Sequence, residues 1–446
     1  MSEISARLER LPITSLHRAA IAALAFAYFF ELGDLNTFAY AAPGVIRAWH
    51  IPVSAVALIT STSFGGMFIG GTLGGRIADL VGRKRGFIYT ILIYTFFSLL
   101  NALSWDVFSL AVFRFLTGVG LSGMTVIANS YVSEFFPARA RGKYMGLIVT
   151  IGLLGIPATA WVARLLVPMA DWGWRLVFVW GGCGIFALLL AARMPDSPRW
   201  YEHRGRQREA EEILARLERA ATTEVGPLAA PAAPVAARPA QPVTNGSYGQ
   251  MFQGVFLGRT VMLILVWIFQ TLGFYGFVAW VPTLLMKQGM SLVESLQYSS
   301  LIAICNPIGA LIASRLVERF ERKWFITVDA VLIATFGLLY GLTFTPVLIV
   351  LFGALVVMTI QAMAVALYVY TPELFPTEVR SSGMGLAYGC GRLANVLGPF
   401  TVGALFVAAG YLSVFAYIAA CWLVVAFVVG VFGPRTTGRS LEALAG

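Results

Sequence analysis

The sequence predicts an all-α membrane protein in which twelve transmembrane helices form two six-helix bundles related by a pseudo-two-fold axis. The chain is 58% hydrophobic and only 12% charged, whereas soluble domains contain about 25% charged residues. Its apolar runs reach about 20 residues with few charges inside them, which is the length needed to cross a bilayer. One set of motifs also recurs at a constant offset, and this indicates duplicated halves.

Twelve apolar runs define the predicted spans, which we number in chain order as span 1 to span 12. They are 18–47, 53–80, 86–104, 107–134, 142–168, 174–193, 256–286, 294–317, 323–344, 346–372, 381–408 and 411–432. We therefore expect an N-terminal bundle over 1–193, a linker over 194–255 and a C-terminal bundle over 256–446. Within the linker, 202–220 has the periodicity of a surface helix. The Ala- and Pro-rich stretch 221–247 is typical of a flexible tether.

The distribution of basic residues predicts the orientation of the chain. Lys and Arg cluster in alternate short loops, for example at 83–85 and 139–143, and the intervening connections contain few of them. By the positive-inside rule, both termini and the linker are cytoplasmic, in a multi-pass protein of the cell (inner) membrane. The net charge of +10 therefore reflects topology and not nucleic-acid binding.

The repeated motifs lie 239 residues apart. The offset relates Pro43 to Pro282, Arg76 to Arg315, Asp79 to Glu318, Arg83 to Arg322, Glu134 to Glu373, Pro137 to Pro376 and Arg141 to Arg380. Internal repeats of this kind are typical of secondary transporters. The charged members predict cytoplasmic gates made of ion pairs that hold the halves together when the cavity opens outward. The gate residues are Gly75, Asp79, Gly82, Arg83, Glu134, Arg141, Glu318, Arg322, Glu373 and Arg380, with Gly75 and Gly82 allowing a tight turn and close helix packing.

Two acids in span 1 are the strongest candidates for proton coupling. Glu31 and Asp34 lie three residues apart in an apolar run, so they share one helix face. Carboxylates inside a membrane are costly and usually face a cavity or a proton relay. The alternative is a permanent pairing of one acid with an Arg. Arg114, at the start of span 4, is a candidate for proton coupling or for tying span 4 to a neighbour.

Arg392 lies midway along span 11, where it cannot easily reach the membrane surface. A guanidinium binds a carboxylate through two parallel hydrogen bonds, so we interpret Arg392 as a clamp for an anionic substrate. Alternatively, Arg392 is a buried partner for Glu31 or Asp34. Both interpretations hold if the substrate and one of these carboxylates compete for Arg392. Other candidate substrate-binding residues are the polar and aromatic side chains of the spans: Tyr28, Asn36, Asn129, Gln270, Tyr275, Trp280, Asn306, Gln361, Tyr368, Tyr388 and Asn395.

No enzyme motif, nucleotide-binding P-loop or metal-ligand spacing is present in the sequence. The three His and the four Cys do not form a catalytic or metal-binding set, so we expect neither a cofactor nor a metal. The expected partners are a small-molecule substrate, a coupling proton and the lipid bilayer, and we expect a monomer.

Five segments carry a family resemblance. The block GGRIADLVGRKR (74–85) resembles the signature between the second and third helices of the major facilitator superfamily, and RFLTGVGLSG (114–123) is similar to its fourth-helix motif. MPDSPRWYEHRG (194–205), SEFFPARARG (133–142) and PELFPTEVRSSG (372–383) resemble motifs shared by sugar porters, organic ion transporters and relatives of synaptic vesicle glycoprotein 2. The nearest subgroup is the bacterial metabolite:proton symporters, which include niacin and aromatic-acid carriers.

This resemblance implies a secondary transporter that works by alternating access, without ATP. We expect proton-coupled uptake of a small organic anion, such as an aromatic or other monocarboxylate. The alternatives are a sugar or polyol symporter, an efflux pump for organic cations or drugs, and a non-transporting receptor on the same scaffold. The sequence departs from the sugar porters because span 7 contains only Gln270, followed by Thr271, where they carry a Gln pair.

Overall fold

The computed structural model describes residues 3–228, 251–317, 319–375 and 380–436, without the side chains of 138 and 380–382. In these residues it contains twelve helices long and apolar enough to cross a membrane, as predicted. The spans are Ser15–Trp49, Val53–Val81, Arg83–Ala102, Val107–Phe135, Arg139–Met169, Gly173–Ala191, Gly254–Val278, Leu292–Leu316, Arg322–Leu342, Pro346–Glu373, Gly383–Ala409 and Tyr411–Phe432.

Glycines bring spans 2 and 4 into backbone contact. A Cβ atom added at Gly66 would lie 1.8 Å from the carbonyl oxygen of Phe115, and one at Gly70 would lie 2.1 Å from that of Val119. Small residues are the usual means of close helix packing in lipid, where no hydrophobic effect drives helices together. These contacts make spans 2 and 4 one rigid unit of the N-terminal bundle.

Four spans depart from a continuous α-helix, and one of them, span 8, breaks at Ile304 between helices Leu292–Ala303 and Cys305–Leu316. Span 5 breaks at Leu154, between helices Ala138–Leu153 and Gly155–Leu166. Span 6 has a 3-10 segment at Cys183–Phe186. The predicted span 256–286 is two helices, because span 7 ends at Val278 and a short helix, Val281–Lys287, follows with Pro282 in its first turn. Proline lacks an N–H group and suits that position.

The N-terminal segment and the linker pack together at one end of the bundle, which we call the linker end. The N-terminal helix, Glu3–Glu9, lies against the linker helix, Gln207–Val225. Their apolar faces share one core, formed by Ile4, Leu8, Leu11, Ala210, Leu214, Leu217 and Ala221. The helix predicted at 202–220 is observed at Gln207–Val225, after a separate short helix, Pro198–His203. Most of the predicted tether, at 229–247, lies outside the described residues.

The two bundles meet at the opposite end, which we call the far end. A Cβ at Gly403 of span 11 would lie 3.2 Å from the Cβ of Ala57 in span 2, and Arg164 of span 5 donates a 3.4 Å hydrogen bond to Gln297 of span 8. Towards the linker end the same spans separate. A Cβ at Gly146 of span 5 or Gly389 of span 11 would meet no atom within 4 Å. Space is therefore open beside these two residues, towards the linker end.

Candidate functional site

Arg392 lies at the interface of the two bundles with aromatic hydroxyl groups as its hydrogen-bond partners. Its Nε donates to the hydroxyl of Tyr388 at 2.9 Å and one terminal nitrogen donates to the hydroxyl of Tyr275 at 3.2 Å. The other terminal nitrogen also donates to Tyr388. Among the described residues, no carboxylate oxygen lies within the 4.0 Å that defines an ion pair with Arg392. This half-buried guanidinium is thus held by neutral acceptors and lacks a direct counter-ion among the described residues.

Three aromatic rings surround this guanidinium. Tyr388 stacks beneath it, with 4.9 Å between the guanidinium carbon and the ring centroid. Trp267 contacts the rings of Tyr368 and Tyr388 edge to face, at centroid distances of 5.4 and 5.2 Å. Tyr368 keeps 49% of its surface exposed, so its ring offers a free face beside the charge. Flat aromatic walls next to a planar cation suit a flat anion.

Glu31 lies across the interface from Arg392, close enough for the two charges to interact. The Glu31 side chain is only 4% exposed. Its Oε1 accepts a hydrogen bond from the Thr125 hydroxyl at 2.9 Å, and its Oε2 is buried with no hydrogen-bond partner. Tyr28 borders the same place, with its hydroxyl 3.5 Å from the Thr125 carbonyl and hydrogen bonded to Asn129. A carboxylate with one vacant oxygen can accept a proton without breaking a hydrogen bond.

Asp34 has a different environment, although it lies one turn away. It is completely buried and forms a 3.4 Å ion pair with Arg114. Hydroxyl groups of Ser98 and Thr37 also donate to its Oδ1, at 2.9 and 3.2 Å. Arg114 in turn donates to Ser63 of span 2 at 3.2 Å. Asp34 and Arg114 are therefore a satisfied ion pair that joins spans 1, 2, 3 and 4.

The structure distributes the other predicted substrate-binding residues over several places. Asn36 lines a small cavity with Arg114 and Tyr275, and Trp280 and Asn395 line another beside Tyr275. Asn306 accepts a 2.7 Å hydrogen bond from Gln361, and Gln270 donates to Thr271 at 2.8 Å. In each of these last two pairs, the partners are hydrogen bonded to each other. No described contact brings these residues to Arg392.

At the linker end, Arg83 is the centre of the first motif copy. It donates to both oxygens of Glu134, with the shortest distance at 2.6 Å, and pairs with Asp79 at 2.6 Å. Gly82 adopts a φ of +100° between spans 2 and 3, a conformation that L-residues with a side chain avoid. The close helix contact expected at Gly75 falls at Gly74, whose added Cβ would lie 2.8 Å from Gly123.

In the second copy, Arg322 pairs with Glu373 at 3.0 Å. The described ion pairs of the gate thus join residues of the same half. Arg141 pairs with Glu9 of the N-terminal helix at 2.8 Å. Glu318 and the side chain of Arg380 lie outside the described residues. The predicted pairing of the halves belongs to a state closed at the linker end and is not tested by this open one.

Several residues of the site escaped the sequence analysis. Thr125, Ser98 and Ser63 contact the predicted charges, and Trp267 contacts the rings of Tyr368 and Tyr388. Each is a single polar or aromatic residue in an apolar run. One signal was available for Ser98, because a hydroxyl in the middle of a span needs a partner. Nothing in the sequence indicates which helix face Trp267 occupies.

The family model for sugar (and other) transporters matches residues 16–445. The chain belongs to this family, within the major facilitator superfamily. It is 44% identical over 99% of its length to the putative metabolite transport protein YyaJ of Bacillus subtilis, of which it covers 97%. It is 30% identical to the niacin transporter NiaP of Acinetobacter baylyi, covering 99% of both chains. The 4-hydroxybenzoate transporter PcaK of the same organism is 26% identical over 86% of this chain and 84% of its own.

Among solved structures, the partially occluded inward-open xylose transporter XylE of Escherichia coli superposes with a TM-score of 0.75. The identity is 19%, and the match covers 95% of this chain and 99% of that one. This similarity shows the fold of the major facilitator superfamily. Together with the family match, it identifies the chain as a secondary transporter.

Proposed function

We propose that this transporter performs proton-coupled uptake of a small organic anion, an aromatic or other monocarboxylate. The observation that carries the proposal is the half-buried Arg392, whose described hydrogen-bond acceptors are the neutral hydroxyl groups of Tyr275 and Tyr388. A buried cation without a counter-ion is costly, and a carboxylate ligand supplies that counter-ion through two charge-assisted hydrogen bonds. The hydroxyl hydrogens of both tyrosines remain free to donate to the same ligand.

The aromatic surroundings favour a flat ring on the substrate. The ring of Tyr388 lies 4.9 Å from the guanidinium, and the rings of Trp267 and Tyr368 lie next to it in a contiguous aromatic cluster. A planar acid placed with its carboxylate on Arg392 gains stacking contact with Tyr368, the most exposed of the three. Two related proteins are named for niacin and for 4-hydroxybenzoate, which are both aromatic monocarboxylic acids, and this supports the substrate class.

Proton coupling follows from competition for Arg392. In the empty transporter the charges of Glu31 and Arg392 face each other. A substrate carboxylate that takes the guanidinium removes this stabilising charge from Glu31, whose vacant Oε2 then accepts a proton. Release of the substrate reverses both events. Asp34 serves as the fixed counter-ion of Arg114, so we assign the mobile proton to Glu31.

The transport cycle alternates between openings at the two ends. With the predicted orientation in the cell (inner) membrane, termini cytoplasmic, the linker end is inside and the structure is inward-facing. Closing the inside requires the clusters around Arg83 and Arg322 to approach each other. The proposed unit is a monomer in lipid with no cofactor.

Uptake into proteoliposomes with an imposed inward proton gradient tests the proposal. The solutes are radiolabelled nicotinate, 4-hydroxybenzoate, a short aliphatic acid, a hexose and an organic cation. We expect accumulation of an aromatic acid that a protonophore abolishes. Transport of sugar alone, or extrusion of the cation, would favour the two alternative activities and leave Arg392 with a structural role.

A further inference from the structure

Tyr94 of span 3 places a hydroxyl group inside the N-terminal bundle without a hydrogen-bond partner. The side chain is fully buried and its hydroxyl oxygen contacts no donor or acceptor in the described structure. The backbone of Tyr94 packs directly on Gly120 of span 4, and its hydroxyl lies against Gly184 of span 6, where a Cβ would stand 1.9 Å away. Both neighbours are glycines, so the ring fits in a slot made for it.

Asp34 of span 1 lies next to this slot, because a Cβ at Gly181, one turn before Gly184, would stand 2.1 Å from its Oδ1. The Tyr94 phenol interacts electrostatically with Glu31 and Asp34. Ser98 lies one turn further along the same face of span 3 and donates to Asp34 at 2.9 Å. Asp34 has all its described partners in place, whereas Oε2 of Glu31 has none. An unpaired buried donor and an unpaired buried acceptor therefore lie near each other in this conformation.

Span 6 gives this region room to change. A Cβ at Gly181 would lie 2.1 Å from Oδ1 of Asp34, so the glycines at 181 and 184 accommodate the carboxylate and the phenol in turn. Between them the helix changes from α to the 3-10 segment Cys183–Phe186. A 3-10 stretch inside a helix often marks a functional hinge. Small adjustments here alter the distance between Tyr94 and span 1.

We propose that Tyr94 is the third member of the proton site, a positioning residue whose hydroxyl donates to the vacant Oε2 of Glu31 when that carboxylate is charged. This inference rests on the proposed proton-coupled transport. The charged groups facing the site are Glu31 and Asp34 from span 1, Arg114 from span 4, which is bound to Asp34, and Arg392 from span 11, whose charge faces Glu31. Span 6 faces it with glycines. In this role Tyr94 holds Glu31 in place while its proton is absent.

Tyr94→Phe tests the proposal because it removes only the hydroxyl. That hydroxyl makes no hydrogen bond here, so a purely structural role predicts no loss of function in the variant. Tyr340→Phe is the matched control, since Tyr340 in span 9 is also buried with an unpartnered hydroxyl and no described contact places it near the acids. We expect Tyr94→Phe to retain exchange of internal for external substrate, which needs no net proton movement, and to lose at least tenfold in proton-driven accumulation.

A substrate-free measurement separates this inference from the proposed function. Infrared titration of the purified protein follows the carboxyl band that Glu31→Gln removes. We expect Tyr94→Phe to move the pH midpoint of that band by about one unit, as for the loss of a hydrogen bond to a charged group, and Tyr340→Phe to leave it in place. A midpoint unchanged in Tyr94→Phe overturns the assignment. If the wild type accumulates no carboxylate, the proposed substrate is wrong, and the titration still decides the role of Tyr94.

Discussion

Replacement of Arg392 by alanine is the sharpest test of the anion site. The substrate carboxylate loses two charge-assisted hydrogen bonds, and breaking a buried ion pair costs about 3–5 kcal/mol. Since about 1.4 kcal/mol corresponds to a factor of ten, affinity should fall by on the order of 10² to 10³. The variant should still fold, because the groups left behind are the neutral hydroxyls of Tyr275 and Tyr388.

Arg392→Lys separates the contribution of the positive charge to substrate affinity from that of the planar guanidinium. Lysine keeps the positive charge but not the planar fork, so it loses one of two parallel hydrogen bonds. A hydrogen bond to a charged group contributes about 1.5–3 kcal/mol, and affinity should therefore fall by about 10- to 100-fold. Arg47→Ala is the control: this side chain is 61% exposed and its described partner is the exposed Asp171, at 3.6 Å.

The assay is equilibrium binding of labelled nicotinate and 4-hydroxybenzoate to purified protein, followed by initial uptake rates in proteoliposomes. The expected order of affinity is wild type and Arg47→Ala, then Arg392→Lys, then Arg392→Ala. Near-normal binding and uptake by Arg392→Ala would show that the guanidinium does not hold the substrate.

The other predictions concern coupling, packing and the linker end. Glu31→Gln should keep substrate exchange but abolish uphill accumulation, and loss of both activities would argue against a role confined to the proton. Gly66→Ala should lower stability by about 1–3 kcal/mol, because its Cβ meets a carbonyl oxygen at 1.8 Å; Gly65→Ala, with its nearest contact at 3.7 Å, should show an unchanged melting temperature. A hydrogen bond from Arg7 lowers the pKa of Glu218, although partial burial opposes this shift. The ionised Glu218 therefore stabilises the protein above its unfolded pKa of about 4.3, and this stabilisation is lost as the pH falls below that value. Hydrogen exchange of the N-terminal helix should accordingly rise in acid, and equal protection at pH 7 and pH 3 would contradict this pairing.

The sequence predicted the elements of the fold well because a bilayer constrains them so strongly. Span length and hydropathy follow from membrane thickness, and this placed all twelve spans. The breaks within spans 5, 6 and 8 and the end of span 7 at Val278 were not predicted, although Pro282 was a visible sign of the last. Local signals of this kind mark a break without saying whether the helix kinks or ends.

The site was less predictable because partner choice depends on how several helices rotate relative to each other. Spacing correctly placed Glu31 and Asp34 in one buried region, but it did not assign Arg114 to Asp34, a partner 80 residues away. Arg141 is a similar case. Its ion pair is with Glu9, and no periodicity links the N-terminal helix to the loop after span 4.

The charges at the centre of the molecule have an electrical consequence. In the empty carrier Glu31 and Arg392 cancel, as do Asp34 and Arg114. If substrate and proton bind as proposed, the anion cancels Arg392 and the proton neutralises Glu31, so the loaded carrier also has a net central charge of zero. Neither the empty nor the loaded carrier then moves net charge across the membrane when it changes from one opening to the other. The cell's voltage would exert no direct force on such a cycle, and the pH difference alone would set how far the solute is concentrated.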